Sequence, residues 1–399
     1  MDRSAVLQGV RVMRFEEVYG RHGRGRLGCE DAADLLGVSV STFLRWRRRY
    51  EAEGAEGLYD RRLGRISGRR AGVDEVAWTA ELFRTRYFDL TVKHFHEHLV
   101  RDHGFGRSYT WLKNTLQAEG LVRRAPKRSA HRKKRARRPL PGMMLFQDGS
   151  THRWLEALDR ELDLIATMDD ATSELYSAFL VEEEGTMSSF VGLYETIAAD
   201  GLFGSLYTDR GSHYFLTPKA GGGVDKERPT QVGRALAQLG VEHIPSYSPE
   251  GRGRMERLFG TLQGRWPQEF RLAGIATVEA ANRYIREVLL DRHNAQFAVR
   301  ADEEGTAFVP YVGRDLADIL CIQEERTVGN DNCVAYKRLS LQIPPDRHRR
   351  HYVKAKVRVH EYPDGTLAVF HGPRRLARYA ADGTPMREND DKTGKRAAA

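Results

Sequence analysis

A chain of 399 residues, 40% hydrophobic and 30% charged, is long enough for two or three domains with at least one sizeable core. No stretch approaches the roughly 18 apolar residues of a membrane span, and the opening "MDRSAVLQGVRVM" has no signal-peptide core, so a cytosolic protein without a membrane partner is expected. The formal charge of +9 is modest, and Cys29, Cys321 and Cys333 are too few and too scattered for a disulfide framework or a structural zinc site.

Residues 5–19 place Val6, Val10 and Met13 at helical spacing, with Val18 little more than a turn beyond. "CEDAADLLGVSVSTFLRWRRRY" (29–50) then predicts a short helix through Leu36, a turn at Gly37 and a second helix capped by Ser39 or Ser41. Ala33, Leu36, Val38, Leu44 and Tyr50 would pack inward, leaving Thr42, Arg45, Arg47, Arg48 and Arg49 on or near the outer face. Two short helices about a glycine, the second lined with arginine, predict a helix-turn-helix suited to a major groove. The linker 57–70, which ends on Arg69 and Arg70, is basic and Gly-rich and suits a DNA backbone or minor groove.

A second helical module is predicted over about 74–122. Its histidines, His94, His96, His98 and His103, look like a metal cluster at first sight. Only His94 and His98 share a helix face, however, and no cysteine lies nearby, so they are read as exposed or helix-packing residues. Segment 121–138 holds ten Lys or Arg and no acid. It includes Lys127, Arg128, Arg132, Lys133, Lys134, Arg135, Arg137 and Arg138, and is expected to lie along DNA phosphates as a counterion-releasing arm.

From 142 to about 300 strand-like runs come first and then alternate with helical ones, which predicts an α/β domain. Within it Asp148 ends the first strand, Asp209 ends the fourth ("SLYTDRGSHY") and Glu256 opens a helix. An Asp after a strand is ordinarily a turn former. If the two strands are neighbours and the helix packs beside them, though, the acids converge. Clustered carboxylates raise one another's pKa unless a cation intervenes, and oxygen-only ligands suit Mg²⁺ or Mn²⁺. Two such ions about 4 Å apart can activate a water or a 3′-hydroxyl and steady the leaving oxygen of a phosphodiester. Asp169 and Asp170 also end a strand and are assigned a turn role. His213 is an auxiliary candidate that would orient a metal-bound water or touch a phosphate, while Arg252, Arg254, Arg257 and Arg265 flank Glu256 and would meet phosphates. Trp266 is assigned to the core. Short strands with Asp364-Gly365 as a hairpin turn predict a small C-terminal β-barrel at about 322–380, and a polar, disordered tail follows.

"QDGSTHRW", "TMDDATS", "YTDRGSHY", "SPEGRGRMERLFGTLQGRW" and "RHNAQF" resemble, in that order, the core of transposases of the retroviral-integrase superfamily. The chain is similar in particular to the bacterial insertion-sequence transposases of the ISNCY group, over residues 5–380 or so. The resemblance implies an RNase H-like core, a mixed sheet flanked by helices, with Asp148, Asp209 and Glu256 as a D-D-E triad holding two Mg²⁺ or Mn²⁺ ions. It implies binding of terminal inverted repeats, metal-dependent 3′-end cleavage and strand transfer into target DNA, by a homodimer or larger assembly in the nucleoid-associated bacterial cytoplasm. The Asp209–Glu256 spacing exceeds that of compact superfamily members, and the Gly-rich 217–230 stretch accounts for it as an inserted loop. The His/Cys zinc domain of retroviral integrases cannot be built from these cysteines, and no structural zinc is expected.

The expected organisation is therefore multidomain. An all-α helix-turn-helix domain (1–70) precedes a second helical DNA-binding module (71–122) and a basic arm (123–141). The α/β catalytic core (142–300), the small β-barrel region (301–380) and the tail (381–399) follow. The rival readings are a DNA-binding regulator with an inactive RNase H-like domain, and a nuclease without strand transfer.

Overall fold

The computed structural model describes residues 3–60, 71–124, 135–218, 222–225, 227–247, 249–313, 315–345 and 349–386. The chain forms two compact units, residues 1–82 and 83–399. In the smaller unit, α1 (Arg3–Gly23), α2 (Cys29–Leu36) and α3 (Val40–Glu53) close on Val12, Phe15, Val18, Ala32, Ala33, Phe43 and Leu58. The α2–α3 turn forms as its residues predict: Gly37 takes the left-handed conformation (φ 66°), and Ser39 Oγ caps α3 by accepting from Thr42 N–H at 3.3 Å. The phase of α1 differs from the sequence reading. Val6, Val10 and Met13 are exposed, and the stripe Val12–Phe15–Val18 faces α2 and α3 instead, where Phe15 meets the Phe43 ring at 6.0 Å.

α4 (Val73–Thr85) leads to α5 (Val92–His103) and α6 (Tyr109–Ala118). Thr91 and Ser108 supply the N-caps of α5 and α6, and Gly104 ends α5 in the left-handed region (φ 63°).

The centre of the larger unit is a five-stranded mixed sheet, ordered β3-β2-β1-β4-β5. β1 (Leu145–His152), β2 (Leu162–Asp169) and β3 (Leu175–Val181) form an antiparallel meander. α7 (Thr186–Asp200) then returns the chain to β4 (Ser205–Thr208), and α8 (Gln231–Leu239) to β5 (Glu242–Pro245), both strands running parallel to β1. Strand alternation sends Leu145 toward α7 and α8, where Phe190, Leu193, Val232 and Leu236 pack. Met144 and Phe146 go to the opposite side, under α9 (Pro249–Gln263), α10 (Trp266–Leu272) and α11 (Val278–Tyr284). Trp266 is buried there, as expected.

α11 passes through a π-helical turn, Ile285–Leu289, into α12 (Leu290–Phe297). Two asparagines on these helices close the free edge of β3. Asn282 exchanges hydrogen bonds with Leu180 N and O at 2.6 and 2.9 Å, and Asn294 with Leu175 N and O at 2.8 and 2.9 Å. Side-chain amides thus replace the missing strand and blunt an edge that could pair with another chain.

The C-terminal strands are β6 (Ile322–Thr327), β7 (Cys333–Tyr336), β8 (Leu339–Gln342), β9 (Lys356–Glu361), β10 (Leu367–His371), β11 (Arg374–Tyr379) and β12 (Pro385–Met386). They form an antiparallel sheet ordered β12-β11-β10-β9-β6 and a β7–β8 hairpin, around Val334, Tyr336, Val357, Val359, Val369 and Tyr379. Asp364-Gly365 turns β9 into β10 (Gly365 φ 81°). Among the described residues β6 and β12 do not pair, so the sheet is open and the closure expected of a barrel is not found. The tail from 387 onward lies outside the described residues.

Candidate active site

Asp148 does not end its strand as expected but lies in the middle of β1, which runs on to His152 in register with β2; it shares its side of β1 with Phe146 and Ser150, the side that α9 covers. It is 7% exposed, and its Oδ1 accepts from Gly149 N–H at 3.2 Å. The parallel β1–β4 register pairs Leu145 with Leu206 and Phe146 with Tyr207; two more steps bring Asp148 level with Asp209. Asp209 falls just past the end of β4, where its Oδ1 accepts from Gly211 N–H at 2.7 Å and closes a tight turn. The strand thus delivers a carboxylate to a glycine turn beside another strand-borne carboxylate.

α9 sits on the same side of the sheet through Met255, Leu258, Phe259 and Leu262. Glu256 is exposed, and Gln263 stands seven residues further on, nearly two full turns and so on the same helix stripe. Gln263 Nε2 donates to Ser150 Oγ at 2.9 Å, which ties that stripe to the strand bearing Asp148. Asp148 and Glu256 are thus borne by elements on one side of the sheet, and Asp209 follows the strand next to β1. Among the described residues their ligand atoms do not all lie within 4.8 Å of one another, so the three acids do not form a closed metal-ligand cluster in this structure.

Sequence reasoning missed a fourth acid. Glu184, between β3 and α7, leans over Gly149, occupying the space a Cβ there would need, on the side of β1 opposite to the Asp148 side chain and shared with Gln147. His213 Nε2 is 3.4 Å from Glu184 Oε1, and the His213 ring lies 4.0 Å from that of Tyr214. The buried Tyr214 hydroxyl donates to Gln147 Oε1 at 3.2 Å. Burial first, then the charge of Glu184 and, more weakly, of Asp148 and Asp209 push its pKa well above the usual phenol value. Three acids thus act on one hydroxyl. In sequence, "VEEEG" reads only as an acidic turn, and nothing in its spacing points at Asp148.

The two aspartates assigned to turns differ in role. Asp169 is such a residue: Oδ1 accepts from Thr172 N–H (2.8 Å) and Oγ1 (3.1 Å), and Oδ2 from Gly142 N–H (2.8 Å). Asp170 is fully buried and ion-paired with both Arg135 and Arg254, and accepts from Arg138 N–H at 2.8 Å. Arg137 Nη1 donates to Asp170 O, Ala171 O and Ser173 Oγ. The guanidiniums of Arg135, Arg137 and Arg254, expected on phosphates, are thus committed within the chain, because a buried carboxylate requires a counter-charge.

Arg45, Arg48 and Arg49 are exposed on α3, whereas the Thr42 hydroxyl is engaged with Ser39 Oγ at 2.9 Å. Arg69, Arg70, Lys127, Arg128, Arg132, Lys133 and Lys134 lie outside the described residues, as does the side chain of Arg252. No described helix is long and apolar enough to cross a membrane.

Residues 21–66, which span α2 and α3, match a helix-turn-helix domain family. The chain is 31% identical over 358 residues to the putative transposase y4bF of Sinorhizobium fredii (strain NBRC 101917 / NGR234), covering 88% of this chain and 77% of that one. It is 29% identical over 164 residues to the transposase for insertion sequence IS1202 of Streptococcus pneumoniae, covering 41% of this chain and 34% of that one. The HTLV-2 integrase catalytic core domain, solved in complex with magnesium, aligns with 37% of this chain and 89% of its own at 13% identity. Its TM-score of 0.28 is too low for that likeness to carry an argument.

Proposed function

The chain belongs to the family of bacterial transposases, and from that premise we propose that it binds the terminal inverted repeats of its own element and cuts and joins DNA there, with Asp148, Asp209 and Glu256 as the reaction centre. The observation that supports this most is the register: β1 and β4 are parallel neighbours, and their pairing continued by two residues brings Asp209, just past β4, level with Asp148. Oxygen-only donors fit Mg²⁺ or Mn²⁺, so these three carboxylates would hold the ions, two per site. Such ions would supply charge neutralisation at the attacking and leaving oxygens of a phosphodiester.

The chain's own groups position the reactants. α3 would enter a major groove, with Thr42, Arg45 and Arg48 at base edges and Arg49 on the backbone. Arg69, Arg70, Arg252 and, from the arm, Lys127, Arg128, Arg132, Lys133, Lys134 and Arg138 would follow phosphates. His213, with Glu184 Oε1 at 3.4 Å from its Nε2, would face a bound water or phosphate oxygen. Hydrolysis at the element's 3′ ends frees a hydroxyl, and that hydroxyl then displaces a target phosphodiester oxygen without a covalent protein intermediate. Handling two ends together calls for a homodimer or larger assembly.

The test uses labelled DNA bearing the element's own end, with Mg²⁺, Mn²⁺ or EDTA. A metal-dependent nick at the repeat boundary is expected from the natural chain, and none from Asp209→Asn, which should still bind the repeat. Cleavage retained by Asp209→Asn would sink the triad. Specific binding with no nick under either metal would favour a DNA-binding regulator.

A further inference from the structure

Far along the chain from the acids, two helices bring a second set of donors together. His94 and His98 lie one turn apart on α5, and Glu269 lies on α10, 171 residues beyond His98. His94 Nε2 and His98 Nε2 stand 2.8 and 2.9 Å from the same Glu269 Oε1, and all three residues are at most 7% exposed. The donor atoms lie within 4.8 Å of one another, the one such group of His, Cys, Asp or Glu among the described residues.

We propose that His94, His98 and Glu269 form a binding site for one divalent transition-metal ion, zinc by its donor set, that clamps α5 to α10. Two imidazole nitrogens and one carboxylate oxygen are borderline ligands that suit zinc, whose bonds of about 2.0–2.2 Å need these atoms to part by only a few tenths of an ångström.

The surroundings fit an ion. Asp102 Oδ2 is 2.8 Å from His98 Nδ1; with the proton on Nδ1, this contact would turn the Nε2 lone pair toward an ion. The nearest arginines are largely neutralised by acids of their own: Arg101 pairs with Asp102 at 2.7 Å and Arg265 with Glu97 at 2.6 Å. Arg101 Nη2 also lies 2.7 Å from His98 Nδ1, and Arg292 approaches the other Glu269 oxygen at 3.7 Å. A cavity of about 60 Å³ borders His94, Glu97, Arg265, Glu269 and Arg292. That is room for a water as the fourth ligand. His94 Nδ1 is buried without a hydrogen-bond partner, so the ring is held only from its Nε2 side. The expectation of no structural zinc rested on the cysteines, and this site uses none.

The experiment measures zinc in the full-length protein after loading with zinc and dialysis into metal-free buffer, with cobalt as a spectroscopic substitute. About one zinc per chain and visible cobalt bands are expected of the natural chain. Asp209→Asn should match it, which separates this site from the proposed reaction centre. The double variant His94→Gln/His98→Gln should retain roughly a tenth or less and lose the bands. If that variant does not fold by circular dichroism, the natural chain decides alone: EDTA should lower its Tm by several degrees and added zinc restore it. Zinc retained by a folded double variant overturns the proposal. So does a natural chain with negligible zinc and an indifferent Tm, leaving a buried His–Glu hydrogen-bond network.

Discussion

Gly149 stands where any side chain would displace Glu184, since a Cβ there would meet Glu184 Oε2 at 2.4 Å and Cδ at 2.6 Å. The obstructing atoms are the end of a flexible side chain, so an alanine would push the carboxylate aside at little cost to the fold. The chemistry next door is less tolerant, because Asp148 is the preceding residue of β1 and Glu184 Oε1 faces His213 Nε2 at 3.4 Å. Misplacement by about an ångström near a reacting centre can lower a rate up to about a hundredfold. Gly149→Ala and Glu184→Gln are therefore each expected to slow single-turnover nicking by about tenfold to a hundredfold with Tm and repeat binding nearly unchanged. Full-rate nicking by both would remove Glu184 from the site. The Asp-Gly pair was visible in the sequence, but its reason was not: the glycine admits a side chain from 35 positions later.

At the scale of elements, α9 is held at its start by one buried charge. Arg254, 11% exposed, pairs with the fully buried Asp170, as does Arg135, and Glu256 lies two residues further along the helix. Breaking a buried pair leaves an uncompensated charge, so Asp170→Asn should cost about 3 kcal/mol in urea unfolding, the low end because Arg135 is partly solvated. Adding Arg254→Gln to it should cost less than the sum of the two single changes. Strict additivity would mean that the pair does not hold α9. Local signals made the elements legible: Gly37 and Ser39 mark the α2–α3 turn, apolar runs mark β1 and β4, although Asp148 lies inside β1 rather than at its end, and Asp364-Gly365 marks a hairpin. What stayed hidden depends on packing partners. α1 carries apolar residues in two phases, and only contact with Phe43 selects Val12, Phe15 and Val18. Asp170 looks like a turn acid until Arg135 and Arg254 arrive from 35 and 84 residues away, and His94 and His98 look idle without Glu269.

Across the larger unit, acid should act through buried histidines. His243 on β5, His293 on α12 and His360 on β9 are each pushed down to about 4, chiefly by burial and then by a neighbouring basic side chain: His213 for the first, Arg265 for the second, Arg234 and Arg358 for the third. The folded chain therefore binds fewer protons than the unfolded chain between pH 6.5, the ordinary histidine value, and about 4. The stability tied to these neutral rings is complete above pH 6.5 and is lost as the pH falls toward 4. For His293 and His360, each 5% exposed, the loss is at most on the order of 3 kcal/mol apiece, at about 1.4 kcal/mol per pH unit. Because the rings sit in the central sheet, its covering helix and the C-terminal sheet, one cooperative loss is expected. Urea midpoints should be level above pH 7 and fall steadily from 6.5 to 4.5; a midpoint constant down to 4.5 would refute the account. His360 stacks on Phe370 at 4.1 Å and has a buried Nδ1 without a partner. His360→Phe keeps the stack and removes the proton-binding site, so it should flatten the slope and leave the variant relatively most stable near pH 5.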